Sequence, residues 1–259
     1  MEQFKSEFLK IWYARSTKIV LLLVTVLQAL MSYAEASQFK QYGLTSTPAD
    51  TSSLLEAIPA IEYIGFDAIV FGIVPLMVLG AIQGASEFKG MSIRTTLLSC
   101  SSKTRIIVSK LLALTGASVV ITFVATYVAL IAAHLALGTG GLNPVLLAPV
   151  VWKYIGWAVA SQVLLVLISF ALSFLFKTAT VPLLFLLPQV YLTIYLPEGN
   201  IFRDILPVSV SEGLIATSEE AFSSKPFLNV LLMSAWVVIV LAAACIRFRQ
   251  LDLSDAKRG

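Results

Sequence analysis

The sequence predicts an all-α integral membrane protein with six transmembrane helices, and three observations carry that prediction. Of 259 residues, 58% are hydrophobic and 13% charged, with a mean hydropathy of +0.89. That is about half the charge of a soluble domain. Apolar runs then recur along the chain at lengths suited to the ~20 residues that a bilayer's hydrocarbon requires. Finally, the basic residues segregate. Fourteen Lys and Arg fall in the N-terminal segment, between 85 and 110, at 177 and after 246, against four (Lys40, Lys153, Arg203, Lys225) in the alternate connections.

Taken in order, residues 1–18 carry Phe4, Phe8, Ile11 and Trp12 at helical spacing, flanked by Lys5 and Lys10. This pattern predicts an amphipathic helix in the membrane interface, with Arg15 marking the bend into the bilayer. The first span is 19–36, short unless flanking residues snorkel. Ala34-Glu35-Ala36 imitates a signal-peptidase site, but the long, aromatic, acid-containing leader argues for an uncleaved helix. A polar, acidic connection follows, in which Thr51 to Ser53 are placed to cap a short helix over Leu54 to Ala57.

The second span is 65–84, with Pro75 expected as a mid-helix kink and Asp67 in its first turn, facing the aqueous end or a substrate. A basic segment occupies 85–105. The third span, 106–137, is too long for the hydrocarbon alone and should project into the cytoplasm, with Arg105 and Lys110 at its mouth and His134 at its outer end as a satisfied or interfacial imidazole. After a Gly- and Pro-rich turn, the fourth span is 151–176, entered through Trp152, Tyr154 and Trp157 as an aromatic belt. The fifth, 179–196, is interrupted by Pro182 and Pro188. Residues 197–225 contain apolar stretches too short to span and too apolar for a free loop, so a re-entrant or interfacial helix pair is expected before the sixth span, 226–246.

The basic asymmetry places both termini in the cytoplasm. Ten of the fifteen acids then lie on the opposite face. Cys100 and Cys245 fall on the cytoplasmic side, where thiols stay reduced. One histidine and two separated cysteines supply no metal cluster and no Cys-His or Ser-His arrangement. No Gly-x-x-x-x-Gly-Lys-Ser/Thr loop occurs, so ATP binding by this chain alone is not expected. Ionisable residues are scarce in the spans, against a carrier built on midplane charges. Gln28, Gln83, Gln162 and Gln189 are the main polar groups there. They either tie helices together or, with Asp67, line a translocation path.

The segment from Glu87 to Lys110 is the long basic stretch between two apolar runs, and Phe88, Met91, Thr95 and Leu98 give it a mostly apolar face. That face suits a short helix at the membrane surface or in a partner's groove. Glu87-Phe88, Gly90, Arg94, Leu97-Leu98, Lys103 and Lys110 match, in order, a pattern found in bacterial ABC-2 type permeases, the membrane subunits of a class of ABC exporters. The chain resembles that family, with Cys100 standing where Pro is expected and Lys103 where Arg is commoner.

The resemblance implies that residues 1–18 are the elbow helix and that Glu87, Phe88, Gly90, Met91, Arg94, Leu97, Leu98, Lys103, Arg105 and Lys110 form the coupling segment seated in a cleft of the ATPase. It further implies a partner ATPase in two copies, which carries ATP and Mg, and a second permease copy or a paralogous permease. The chain itself would be no enzyme, would bind no cofactor or nucleic acid, and would sit among lipids of a bacterial cytoplasmic membrane. It would export hydrophobic or amphipathic cargo such as a drug, an antimicrobial peptide or a lipid. Two rival readings stay open: a secondary transporter or channel that needs no ATPase, and a membrane immunity protein that sequesters a peptide.

Overall fold

The computed structural model describes residues 2–50, 54, 57–86, 88, 103–195, 200–215 and 226–249. The described residues are helical with no strand, and five helices are long and apolar enough to cross a membrane. In chain order these elements are α1 (Glu2–Tyr13), α2 (Arg15–Tyr42), α3 (Ile73–Ser86), α4 (Lys103–Leu137), α5 (Pro149–Phe176), α6 (Thr180–Tyr195), α7 (Ile201–Ile205), α8 (Pro207–Ile215) and α9 (Pro226–Arg249). Helices α3 and α5 form the buried centre, while α2 and α9 lie at the periphery. The periphery is apolar: Ile19, Leu22, Val26, Leu30, Leu231, Val238 and Ile239 are all exposed. An apolar outer wall is what a hydrocarbon surrounding requires of a helix bundle.

The bend expected near Arg15 is present one residue earlier, where Ala14 adopts an extended conformation between α1 and α2. Helix α2 does not stop at 36. It continues to Tyr42, 28 residues and about 42 Å long. Its last turns are polar in sequence but pack on α4, burying Ala36 with Ala133 and Leu137. Lys40 Nζ donates to the Ala136 carbonyl at 3.2 Å and so satisfies an orphan acceptor at the end of α4.

The second span departs most from expectation. Gly65 breaks the chain at φ +96°, and residues Asp67–Gly72 form a 3₁₀ helix that leads into α3. Pro75 sits in the first turn of α3, where its missing N–H has no intrahelical partner to lose, so it starts that helix and does not kink it. Pro182 likewise lies in the first turn of α6, and Pro188 alone is interior. Helix α6 is apolar but 16 residues long, about 24 Å, below the thickness of the hydrocarbon. Trp152 is half exposed and stacks on Tyr127, as a belt residue would, whereas Tyr154 is core, packed against Tyr63 and Phe66. The cap expected at Thr51 to Ser53 lies outside the described residues; Leu54 and 57–60 are not helical.

The stretch after α6 forms a helix pair that folds back into the bundle. Trp236 Nε1 donates to Ile205 O at 2.9 Å, and a Cβ on Gly213 would lie 3.3 Å from Asn229 Nδ2. The chain at Ile205 therefore sits level with the eleventh residue of α9, about 15 Å below its start, and α8 climbs back over about 10 Å. Val208, Val210, Leu214 and Ile215 are buried against α5, α6 and α9, which accounts for their apolar character.

Candidate functional site

The end of the bundle where the basic segment leaves α3 and returns at α4 gathers the described part of the predicted coupling set. Helix α4 is 35 residues, about 52 Å, and extends beyond a bilayer core as expected. Against its lower part lies α1. The apolar face read from Phe4, Phe8, Ile11 and Trp12 is turned to protein more than to lipid: Ile11 is buried, Phe8 and Trp12 pack on the core, and Phe4 is exposed. Phe8 lies over Gly116, where a Cβ would meet its ring at 3.5 Å, an ordinary contact.

Within this contact lies a carboxylate that the sequence reading passed over. Glu7 is 5% exposed; its Oε2 stands 3.2 Å from Lys110 Nζ, and Lys10 Nζ donates to its Oε1 at 2.6 Å. Burial opposes ionisation of Glu7, but the two ammonium groups outweigh it and hold its pKa below the ordinary glutamate value. Lys110, expected at a partner's surface, is buried here as an internal tie between α1 and α4. The signal was available. Glu7 is an acid three residues after Phe4 and four before Ile11, on the apolar face itself.

After the end of α3, Phe88 packs on Phe174 with ring centroids 5.1 Å apart, and the Lys177 ammonium lies 5.9 Å from the Phe88 centroid. Lys177 is the left-handed C-cap of α5 at φ 60°. Arg247 of α9 donates to the Leu175 carbonyl at 2.9 Å and closes the same helix end. Both ends of the basic segment are therefore fixed to the bundle, one through Phe88 and one through Lys110. Lys103 and Arg105 lie in the first turn of α4. Glu87, Gly90, Met91, Arg94, Leu97 and Leu98 lie outside the described residues.

The five residues expected along a path behave differently from one another. Gln28 is wholly buried and donates from Nε2 to Ile69 O at 3.0 Å, tying α2 to the 3₁₀ turn. Gln189 donates to Phe185 O at 2.9 Å and accepts from Val208 N–H at 3.4 Å, so it caps the deep end of α8. Gln83 is buried on α3, and Asp67 is exposed at the start of the 3₁₀ turn. Gln162 is wholly buried with neither amide atom partnered among the described residues. His134 Nδ1 accepts from Leu142 N–H at 3.3 Å and holds the turn after α4, while its Nε2 is buried without a partner among the described residues.

Close packing beside this end of the bundle rests on a motif that went unread. Gly80 and Gly84, spaced as Gly-x-x-x-Gly, face Ser169 and Ser173 on α5. Ser169 Oγ donates to Met77 O at 2.6 Å and Ser173 Oγ to Ala81 O at 2.7 Å. The two backbones touch, and each hydroxyl finds a carbonyl across the interface. The partner spacing, Ser-x-x-x-Ser, was the sequence signal. Among the described residues no group of His, Cys, Asp or Glu is arranged to hold a metal. No protein-family model and no curated protein matches the chain.

Proposed function

We propose that this chain is the permease subunit of an ATP-binding cassette exporter, with six spans, both termini in the cytoplasm, and hydrolysis on a separate ATPase bound at the segment 85–105. The observation that carries the reading is the order Glu87-Phe88, Gly90, Arg94, Leu97-Leu98, Lys103, Lys110 between two apolar helices. It is supported by contacts on either side of that segment, Phe88 on Phe174 before it and, within α4 after it, Lys110 on Glu7. A push on that segment would reach α3 and α5 through Phe88 and α4 through its first turn. Closure of two ATPase copies would rock those helices in a dimer of permeases and move hydrophobic or amphipathic cargo outward.

The test is Leu98→Asp, which puts a charge on the expected apolar contact, beside Glu87→Gln, which removes the one acid of the segment. Co-purification of an ATPase with the chain and cargo-stimulated ATP turnover are measured for both. Leu98→Asp is expected to lose the ATPase at a cost of a few kcal/mol, roughly that of desolvating a charge. Glu87→Gln is expected to retain the ATPase and lose stimulation. Full transport by Leu98→Asp, or transport by a preparation with no ATPase, sinks the reading and leaves a secondary transporter or a sequestering protein.

A further inference from the structure

Two wholly buried polar side chains, Gln162 on α5 and Ser211 on α8, carry no hydrogen-bond partner at Gln162 Nε2, Gln162 Oε1 or Ser211 Oγ among the described residues. Their helices pack on each other. Their depths also agree, and α9 supplies the ruler. Trp157 of α5 meets Phe227 of α9 edge to face at 5.1 Å, and both helices start at the same end of the bundle. Gln162 thus lies about five residues, or 7 Å, below that contact. On the other side, the Gly213 position meets Asn229, two residues below Phe227, and Ser211 lies two residues deeper again on α8. Ser211 therefore stands about 6 Å below the same contact. Gln162 is also the midpoint of α5, while the same level falls about a quarter of the way along α9.

Leaving an amide and a hydroxyl dry at that depth costs about 1–3 kcal/mol for each group. A direct bond between them would remove much of that cost, yet neither group makes one. An amide N–H donor, an amide oxygen acceptor and a hydroxyl at one level make up the two to four partners that a buried water takes. We infer that Gln162 and Ser211 form a buried water site that pins the folded-back helix α8 to the centre of α5. The site is independent of the export reading, since it concerns how α8 is held and not what crosses the membrane.

The experiment is a double-mutant cycle on the full chain in lipid nanodiscs, with Gln162→Met, Ser211→Ala and the pair, read by thermal unfolding. A shared water makes each single variant lose about 3–6 °C, because the water and the remaining partner are left under-satisfied. The double variant then falls no further than the worse single. If the two groups are dry and independent, removing unpartnered polar atoms raises or leaves unchanged the midpoint, or the two losses add; any of these results overturns the site. A density map of the parent protein gives the second measurement, which does not depend on the variants assembling. An ordered peak within hydrogen-bonding distance of both Gln162 and Ser211 is expected, and continuous side-chain packing between them refutes it.

Discussion

Replacing Glu7 with Gln removes the charge from a site where it faces two ammonium groups. The Glu7 and Lys110 side chains are 7% and 8% exposed and 3.2 Å apart, whereas Lys10, on the other oxygen, is 64% exposed. Taking one partner from a buried pair leaves the other charge uncompensated, which costs about 3–5 kcal/mol. The lower end applies here because glutamine still offers an oxygen to Lys110. For a chain of this size about 3 kcal/mol corresponds to a fall of roughly 6–12 °C in the unfolding midpoint. Lys10→Ala breaks an exposed contact and should cost under about 1 kcal/mol. Lys110→Met falls between, since Glu7 keeps Lys10. The double variant Glu7→Gln/Lys110→Met buries no charge at this place and should recover most of the loss.

The sign of the pH dependence follows from the same geometry. Because the pKa of folded Glu7 is lowered, its contribution is present above the unfolded value of about 4.5 and is lost as pH falls below it through the folded value. The parent should therefore lose stability, relative to Glu7→Gln, only in that acidic window. Differential scanning fluorimetry of the parent and the four variants at neutral and acidic pH measures all of this. A Glu7→Gln protein that unfolds within about 2 °C of the parent at neutral pH would show that solvent screens the pair. Helix α1 would then be held by its apolar contacts alone.

Three further outcomes are expected. Gly84→Ala and Gly80→Ala place a Cβ 2.6 and 2.3 Å from the Phe170 and Val166 carbonyls, so each should destabilise by about 1–3 kcal/mol or more, while Gly156→Ala, inside α5 with nothing within 4 Å, should stabilise by about 0.5–1 kcal/mol; thermal unfolding separates them. Gln189→Leu strips the Val208 N–H of its acceptor and should cost about 1–3 kcal/mol, seen as faster proteolysis between Ile205 and Ile215 with the rest of the bundle intact. Single cysteines at Val145 and Lys177, in a background lacking Cys100 and Cys245, should label from opposite sides of the membrane in intact cells, Val145→Cys from outside. Labelling of both from one side would break the proposed topology.

The positions of the long helices were legible because burial in hydrocarbon and burial in protein ask for the same apolar runs, so α4, α5 and α9 begin and end within a few residues of expectation. The failures share a cause. Where protein replaces lipid, polarity no longer marks an end: α2 runs on through Ser37, Gln38 and Lys40 because α4 packs along it and supplies the Ala136 carbonyl to Lys40. A proline, likewise, reads as a kink until the helix start is known. Pro75 and Pro182 became N-terminal residues once the 3₁₀ turn and the tight turn after Lys177 had set where α3 and α6 begin.

The candidate site was legible only as far as it is local. The basic segment and its apolar register can be read from spacing, since both are properties of consecutive residues. What fixes that segment is distant: Glu7 lies more than a hundred residues from Lys110, and Phe88 more than eighty from Phe174. Spacing within one helix limits which residue seeks a partner, as an acid on an apolar face does, but the partner is chosen by how helices pack. The same reasoning divides the buried glutamines. All four looked alike as polar residues in apolar helices, yet Gln28 and Gln189 turned out to serve backbone groups freed by a 3₁₀ turn and by a helix start, features that exist only once the chain has folded. Gln162 differs from both, since neither of its amide atoms meets a protein partner among the described residues, and spacing along α5 gives no sign of that difference.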